Sequence, residues 1–339
     1  MRIGIIGLGG VGRAFLSLVE EKKGELIKMG AEPKVVLLMN STSACVSDEG
    51  MDIESLLKYL ESVKDLSGFE GGFKWNDFER VLNMTKLDFL IEATPTNKES
   101  GEPARTHIEA ALKRGINVVT ANKGPVLLSY KTLKDLADKN NVGLGIGCTT
   151  GGALPTVSSG QYDLLGAKIT GIRGILNGTT NYILNLMETE SISYDEALRR
   201  AQHEGIAETN PSMDVEGWDT ATKMIIIANA LMGTDIKPDD AKVKGIVDIT
   251  PEIVQSARDK GKRIKLMGRL LKIENGYAVT VQPEEVDSDD IFFGVNGKNK
   301  GILYSTDTLG DVAILGGASN VKGAAASLLR DVLQIELSE

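Results

Sequence analysis

The stretch Arg2-Ile3-Gly4-Ile5-Ile6-Gly7-Leu8-Gly9-Gly10-Val11-Gly12 decides how the first half of the chain is read. Arg2 to Ile6 has the composition of a short buried strand. Val11, Phe15, Leu18 and Val19 then follow at helical spacing. Strand, glycine turn and helix in that order form the dinucleotide-binding fingerprint. Gly7 permits the tight turn, Gly9 lets the backbone approach a pyrophosphate, and Gly12 lets helix and strand pack closely. The helix N-terminus faces the anion. Gly7, Leu8, Gly9, Gly10, Val11, Gly12 and the following Arg13 are therefore the expected cofactor contacts. The same glycines could form a turn that binds nothing, but the setting at the start of a strand–helix unit favours the cofactor.

Outward from this unit, strands and helices alternate. Val35–Met39, Phe89–Ala93, Asn117–Thr120 and Gly143–Cys148 read as strands. Ile53–Val63, Phe78–Met84, Pro103–Arg114 and Ser129–Asn140 read as helices. Such a series predicts a Rossmann-type α/β domain with a parallel, doubly wound sheet. Ligands of such sheets bind beyond the carboxyl ends of the strands, where Thr94 and Lys123 stand. An acidic residue after the second strand selects NAD by holding the ribose 2′-hydroxyl. Here that position is Asn40, which does not repel a 2′-phosphate, so both NADP and NAD are admitted, with a slight lean to NADP.

The chain's 339 residues exceed what one core usually holds, so two domains are expected. We place a dinucleotide-binding domain at 1–150 and a catalytic domain at 151–311. A C-terminal helical stretch, 312–339, returns to the first domain. The net charge of −9 with no basic block argues against nucleic acid and anionic membranes as partners. No apolar run approaches the ~18 residues of a membrane span. The chain starts directly on a strand, without a signal-peptide layout, and Cys45 and Cys148 fit no metal or disulfide spacing. A reducing, cytoplasmic setting follows as the expectation.

Beyond Gly151 the pattern is mixed. Gly171–Leu176 reads as a strand, and Asn177-Gly178-Thr179-Thr180 opens a helix. Ser193 starts another helix, which Gly205 stops. Arg263–Ile273 and Tyr277–Gln282 alternate like strands around the turn signal Glu274-Asn275-Gly276, and Asp311–Leu315 is a strand before the last helix. An α+β domain with a mixed, open sheet is expected. Within it, Ala201 to Lys223 carries Glu208, Asp214, Glu216 and Asp219 and ends on Lys223. The helix after Asp214 is apolar around most of its circumference, which marks it as buried. Asp219 and Lys223 are four apart on it, so they are neighbours. An exposed pair of this kind is worth only ~0.2–0.5 kcal/mol. Burial makes it a candidate functional pair instead.

These residues resemble homoserine dehydrogenase over nearly the whole chain. The signature is Ala201 to Lys223, with Gly205, Asn210-Pro211, Asp214, Gly217, Asp219 and Lys223 in place. Gly7–Gly12, Ala121–Pro125, Gly174–Leu184 and Ile264-Lys265-Leu266 match as well. The resemblance implies NAD(P)-dependent interconversion of L-homoserine and L-aspartate 4-semialdehyde, a step toward threonine, isoleucine and methionine. It also implies a homodimer and a cofactor contact at Gly316. Some members bind a sodium-like monovalent cation through backbone carbonyls, here those of Gly147, Thr150, Gly152 and Leu154. The chain has no length for an aspartate kinase or a C-terminal regulatory domain, so feedback control through either is not expected.

In the expected mechanism a cationic lysine stabilises and protonates the oxygen that receives charge from the hydride. Lys223 is the first choice, oriented by Asp219, and Lys123 is the second. Glu208, supported by Asp214, is expected to hold the substrate's α-ammonium; Asp219 and Lys123 are further substrate contacts. Two readings compete: a dehydrogenase of another amino-acid-derived carbonyl, and a dinucleotide-sensing module without turnover.

Overall fold

The computed structural model describes residues 1–274 and 276–337. Asn275 of the turn signal, and Ser338 and Glu339 of the expected C-terminal stretch, lie outside the described residues. The chain forms two compact units, 1–152 with 320–339, and 153–319.

The strands are β1 (Arg2–Ile6), β2 (Lys34–Met39), β3 (Ser43–Val46), β4 (Gly72–Lys74), β5 (Phe89–Glu92), β6 (Asn117–Thr120), β7 (Leu144–Gly145), β8 (Ile169–Ile175), β9 (Lys242–Val243), β10 (Arg263–Ile273), β11 (Gly276–Val286), β12 (Lys300–Thr306) and β13 (Asp311–Gly316). The first unit holds a seven-stranded sheet of order β4-β3-β2-β1-β5-β6-β7. β1 lies between β2 and β5, parallel to both. Successive side chains of a strand point to opposite faces. Accordingly Ile3 and Ile5 join the core beneath the Gly10–Glu21 and Val321–Glu336 helices. Ile6 joins the other core, with Ile108, Ala111 and Leu133. Both faces of the sheet are therefore covered.

Four features differ from the expectation. The sheet is parallel-rich rather than wholly parallel, because β3 runs antiparallel to both of its neighbours, β2 and β4. The cause is local: the Asn40 Oδ1 accepts the N–H groups of Thr42 (2.9 Å) and Ser43 (2.8 Å), and this side-chain turn sends the chain back along β2. The helix expected from Ser129 starts at Lys123 and is kinked at Ser129. Pro125 falls in its first turn, where a missing N–H costs no helical bond. The strand expected over Gly143–Cys148 is only β7, followed by a tight turn at Gly147–Thr149. Finally, the strand expected at Asp311–Leu315 is present as β13 of the second sheet, so the C-terminal stretch that belongs to the first unit begins at Asn320 rather than 312, with the Val321–Glu336 helix.

The second unit's sheet has the order β13-β12-β8-β10-β11-β9. Its pairings are antiparallel except for β9 on β11. The Trp218–Met232 helix packs on β8, β10 and β11, and the Gly178–Glu190 helix packs on β10. Lys265 of β10 is buried, and its Nζ donates to the Val295 carbonyl (2.6 Å), Asn181 Oδ1 (3.2 Å) and Asn296 Oδ1 (3.2 Å). Asn181 in turn donates to the carbonyls of Val295, Gly297 and Asn299. The two side chains thus fasten the 295–299 loop to the Gly178–Glu190 helix.

Burial lowers the Lys265 ammonium from 10.5 to about 8, a shift that nearby Glu188 opposes. Between these values the unfolded chain binds more protons than the folded one, so stability rises with pH. The wild type should gain about 2 kcal/mol between about pH 7 and pH 9.5 that a Lys265→Met variant does not gain. Urea unfolding of both proteins at the two pH values checks this; parallel pH dependences would show that the ammonium is not desolvated.

Candidate active site

The fingerprint turn occupies the carboxyl end of β1. Gly7 has φ +95°, and a Cβ there would lie 2.4 Å from the Ala93 backbone. A Cβ on Gly12 would lie 2.0 Å from the Gly7 carbonyl oxygen, whereas one on Gly9 meets nothing within 4 Å. Gly7 and Gly12 are thus required by packing. Gly9 is crowded by no neighbour among the described residues, which leaves its backbone open to a ligand. Gly9 caps the Gly10–Glu21 helix with no side-chain bond to its first N–H groups, and these N–H groups suit a pyrophosphate.

A crevice of about 1020 Å³ opens here. Its lining includes Gly7, Leu8, Gly9, Gly10, Val11, Arg13, Asn40 and Thr94, all expected from the sequence. Lys64, Asp65, Trp75, Pro103 and His107 also line it and were not expected. The two polar candidates on the β2 side are engaged within the protein. Asn40 Nδ2 donates to the Lys64 carbonyl (2.8 Å). Arg13 donates to the carbonyls of Leu8 (3.0 Å) and Leu60 (2.6 Å). Both build the crevice wall. Gly316, with φ +120°, ends β13 in the second unit and is not in this lining.

Beside the crevice lies a buried polar network. Glu92, at the end of β5, accepts from the Thr94 N–H (3.2 Å), the Thr94 hydroxyl and the Thr120 hydroxyl (3.2 Å). His107 Nδ1 is 3.7 Å from Glu92 Oε1 and has no hydrogen-bond partner among the described residues. Asn122 Nδ2 donates to the Thr94 carbonyl, the Thr94 hydroxyl and the Pro95 carbonyl, while its Oδ1 caps the helix that begins at Lys123. Lys123 is therefore held at the positive end of a helix dipole, a position that does not favour a cation for stability alone.

In the second unit Ala201–Lys223 folds in pieces. Gly205 (φ +68°) ends the Tyr194–His203 helix, a short turn of helix covers Ser212–Val215, and Gly217 (φ +91°) breaks it before Trp218–Met232. On an unbroken helix Asp214 and Asp219 would point about 140° apart. The break at Gly217 lets both carboxylates reach one group, the Asn177 amide. Asn177 Nδ2 donates to Asp214 Oδ1 (2.7 Å) and Asp219 Oδ2 (2.8 Å). Its Oδ1 accepts the Thr180 N–H (2.8 Å) and caps the Gly178–Glu190 helix. Lys223 Nζ is 2.6 Å from Asp219 Oδ2 and donates to the Leu176 carbonyl (2.8 Å). Both side chains of this pair are largely buried, Asp219 at 7% and Lys223 at 14% exposure.

The structure thus joins Asp214, Asp219 and Lys223, and adds Asn177, to which the sequence reading gave no role. Its signal was an Asn ahead of a helix and after a strand, which reads equally well as a plain cap. Glu208 is exposed on the approach loop, with its carboxylate in none of these bonds. Of the carbonyls matched to a cation, that of Gly147 accepts from the Thr150 and Gly151 N–H groups (3.4 Å each) and the Thr150 hydroxyl, and that of Leu154 accepts from Thr156.

The family model "homoserine dehydrogenase" matches residues 155–333, and its NAD-binding companion matches residues 7–145. The chain belongs to the homoserine dehydrogenase family. It is 38% identical to the homoserine dehydrogenase of Methanocaldococcus jannaschii over 99% of this chain and 98% of the relative. It is 32% identical to an NAD(+)-dependent homoserine dehydrogenase of Pseudomonas canavaninivorans, over 99% of this chain and 96% of the relative. A hyperthermophilic archaeal homoserine dehydrogenase mutant in complex with NADPH superposes with a TM-score of 0.84 at 26% identity, covering 100% of this chain and 98% of that one. Members of the family are NAD(P)-dependent oxidoreductases, and the crevice of the first unit fits that cofactor class.

The Gly12 contact gives a direct test of the fingerprint. Gly12→Ala should weaken NADPH or NADH binding at least tenfold in a calorimetric titration, because the added methyl must push the turn off the helix. Unchanged affinity would remove the turn from the cofactor site.

Proposed function

We propose that this homoserine dehydrogenase interconverts L-homoserine and L-aspartate 4-semialdehyde with NAD or NADP, and that Lys223 handles the proton. The observation that supports this most is the Asp214–Asn177–Asp219–Lys223 cluster. An ammonium has three N–H donors. Lys223 directs one to Asp219 and one to Leu176, which leaves the third for a substrate oxygen. The cofactor, when bound, supplies or accepts the hydride. In the reducing direction the aldehyde oxygen gains an electron pair as its carbon gains hydride, and Lys223 donates the proton that makes the hydroxyl. In the oxidising direction neutral Lys223 takes that proton back. Asp219 fixes the ammonium's direction. Carboxylates are the natural partners for the α-ammonium of the substrate. We assign that group to Asp214, with exposed Glu208 closing on it from the loop.

Lys123 is the second proton candidate and a substrate contact, supported by its placement against the helix dipole. Thr94 and the 7–13 turn serve the cofactor. The open edge strand β13, with Leu315 exposed, supports a homodimer, since unpaired edges invite pairing. No described helix is long and apolar enough to cross a membrane. Cys45 and Cys148 are free thiols, and these suit a reducing, cytoplasmic setting.

Lys223→Ala should lower kcat for homoserine-dependent reduction of NAD and of NADP by about 10²–10⁴, with little change in cofactor affinity. Undiminished turnover would remove Lys223 from the proton step. In the same assay Glu208→Gln should raise the KM for homoserine more than it lowers kcat; an unchanged KM would sink the assignment of Glu208 to the ammonium.

A further inference from the structure

We propose that Asn177 is a positioning residue of the reaction, clamping Asp214 and Asp219 as ionised acceptors and so aiming Lys223. The proposal rests on the reading that Lys223 handles the proton.

Each end of the amide has one possible orientation. The Thr180 N–H can pair only with an acceptor, so the Asn177 oxygen faces it (2.8 Å). Ionised carboxylates only accept, so the nitrogen faces Asp214 (2.7 Å) and Asp219 (2.8 Å). Both N–H donors are thereby used, one on each carboxylate. Taken as whole residues, Asn177 and Asp219 are each 5% exposed, so bulk water cannot take over the Asp219 arm of the clamp. Two carboxylates sharing a buried site ordinarily push one of the pair to hold a proton. A donor pair placed between them opposes that. An ionised Asp219 is what the Lys223 ammonium, 2.6 Å away, needs in order to keep its direction. The adjoining residue completes the arrangement, because Lys223 also donates to the Leu176 carbonyl. The Leu176–Asn177 junction, where β8 passes into a helix, therefore touches Asp214, Asp219 and Lys223 alike.

A cap and a clamp make different demands, and two substitutions separate them. Serine and aspartate are both good N-caps, so Asn177→Ser and Asn177→Asp keep the acceptor for Thr180. Neither supplies an amide donor pair. If Asn177 only caps its helix, both variants will match the wild type in kcat and pH profile. As a clamp, its loss in Asn177→Ser should lower kcat at least tenfold with a thermal midpoint within a few degrees of the wild type. Asn177→Asp should lose more, and its pH profile should shift to the acid side, where the added carboxyl takes up a proton and can donate again. Wild-type kcat and pH profile in the serine variant would overturn the proposal. So would loss of the folded transition in that variant, since the clamp would then serve the fold and not the proton step. The same assay on Lys223→Ala keeps the two failures apart. An active Lys223→Ala removes the proton-step reading itself. An inactive Lys223→Ala beside a fully active Asn177→Ser removes only the clamp.

Discussion

Asp219 and Lys223 are held largely out of water where β8 enters a helix, with Asp214 half-buried beside them, and the second unit is built to make that tolerable. Charges in such a place are costly unless every partner is supplied. Asn177 supplies two donors, Leu176 supplies a carbonyl, and Asp219 and Lys223 supply each other. Gly217 supplies the backbone break that lets residues five apart converge. Further out, Lys265 and Asn181 tie the 295–299 loop to the same helix that Asn177 caps. Remove the requirement to hold those charges and most of these polar side chains would have no reason to be buried.

The first unit uses the same device for a different end. Asn122 also follows a strand, caps a helix with its oxygen and spends its nitrogen elsewhere, here on Thr94 and Pro95 at the crevice. In each case one short side chain closes the orphan N–H groups of a helix and fixes the functional loop beside it. The cost of capping and the cost of positioning are met by one residue. Substituting either Asn with alanine would therefore mix two effects, which is why cap-preserving replacements are the informative ones.

What the sequence made legible follows from which forces leave a periodic trace. The β1 turn was readable because a Cβ on Gly7 or on Gly12 would lie only 2.4 or 2.0 Å from neighbouring backbone, which forces glycine at both. The buried helix at 218–232 was readable because it is apolar all round, and the Asp219–Lys223 pair because it lies at i, i+4. β12 was not anticipated: its Ile302, Leu303 and Tyr304 are all buried, so the strand shows no alternation. β3 escaped for another reason, since its direction is set by the side chain of Asn40, which the sequence offered as a ribose contact. The role of Asn177 was illegible because its two carboxylate partners lie 37 and 42 residues away.

Cofactor choice shows the same limit from the chemical side. A neutral residue at position 40 admits a 2′-phosphate by lacking charge, but the structure turns Asn40 inward onto Thr42, Ser43 and the Lys64 carbonyl. It therefore neither repels nor grips the group. The Arg13 guanidinium is spent on the Leu8 and Leu60 carbonyls. Discrimination must then fall to what remains of the lining on that side, where Ser41, Thr42 and Lys64 are the groups able to donate to a phosphate. An ammonium on a flexible stem acts on a phosphate as a point charge rather than a bidentate clamp. With a neutral residue at position 40, and with both Lys64 and Asp65 in the lining, the crevice is compatible with NAD and with NADP.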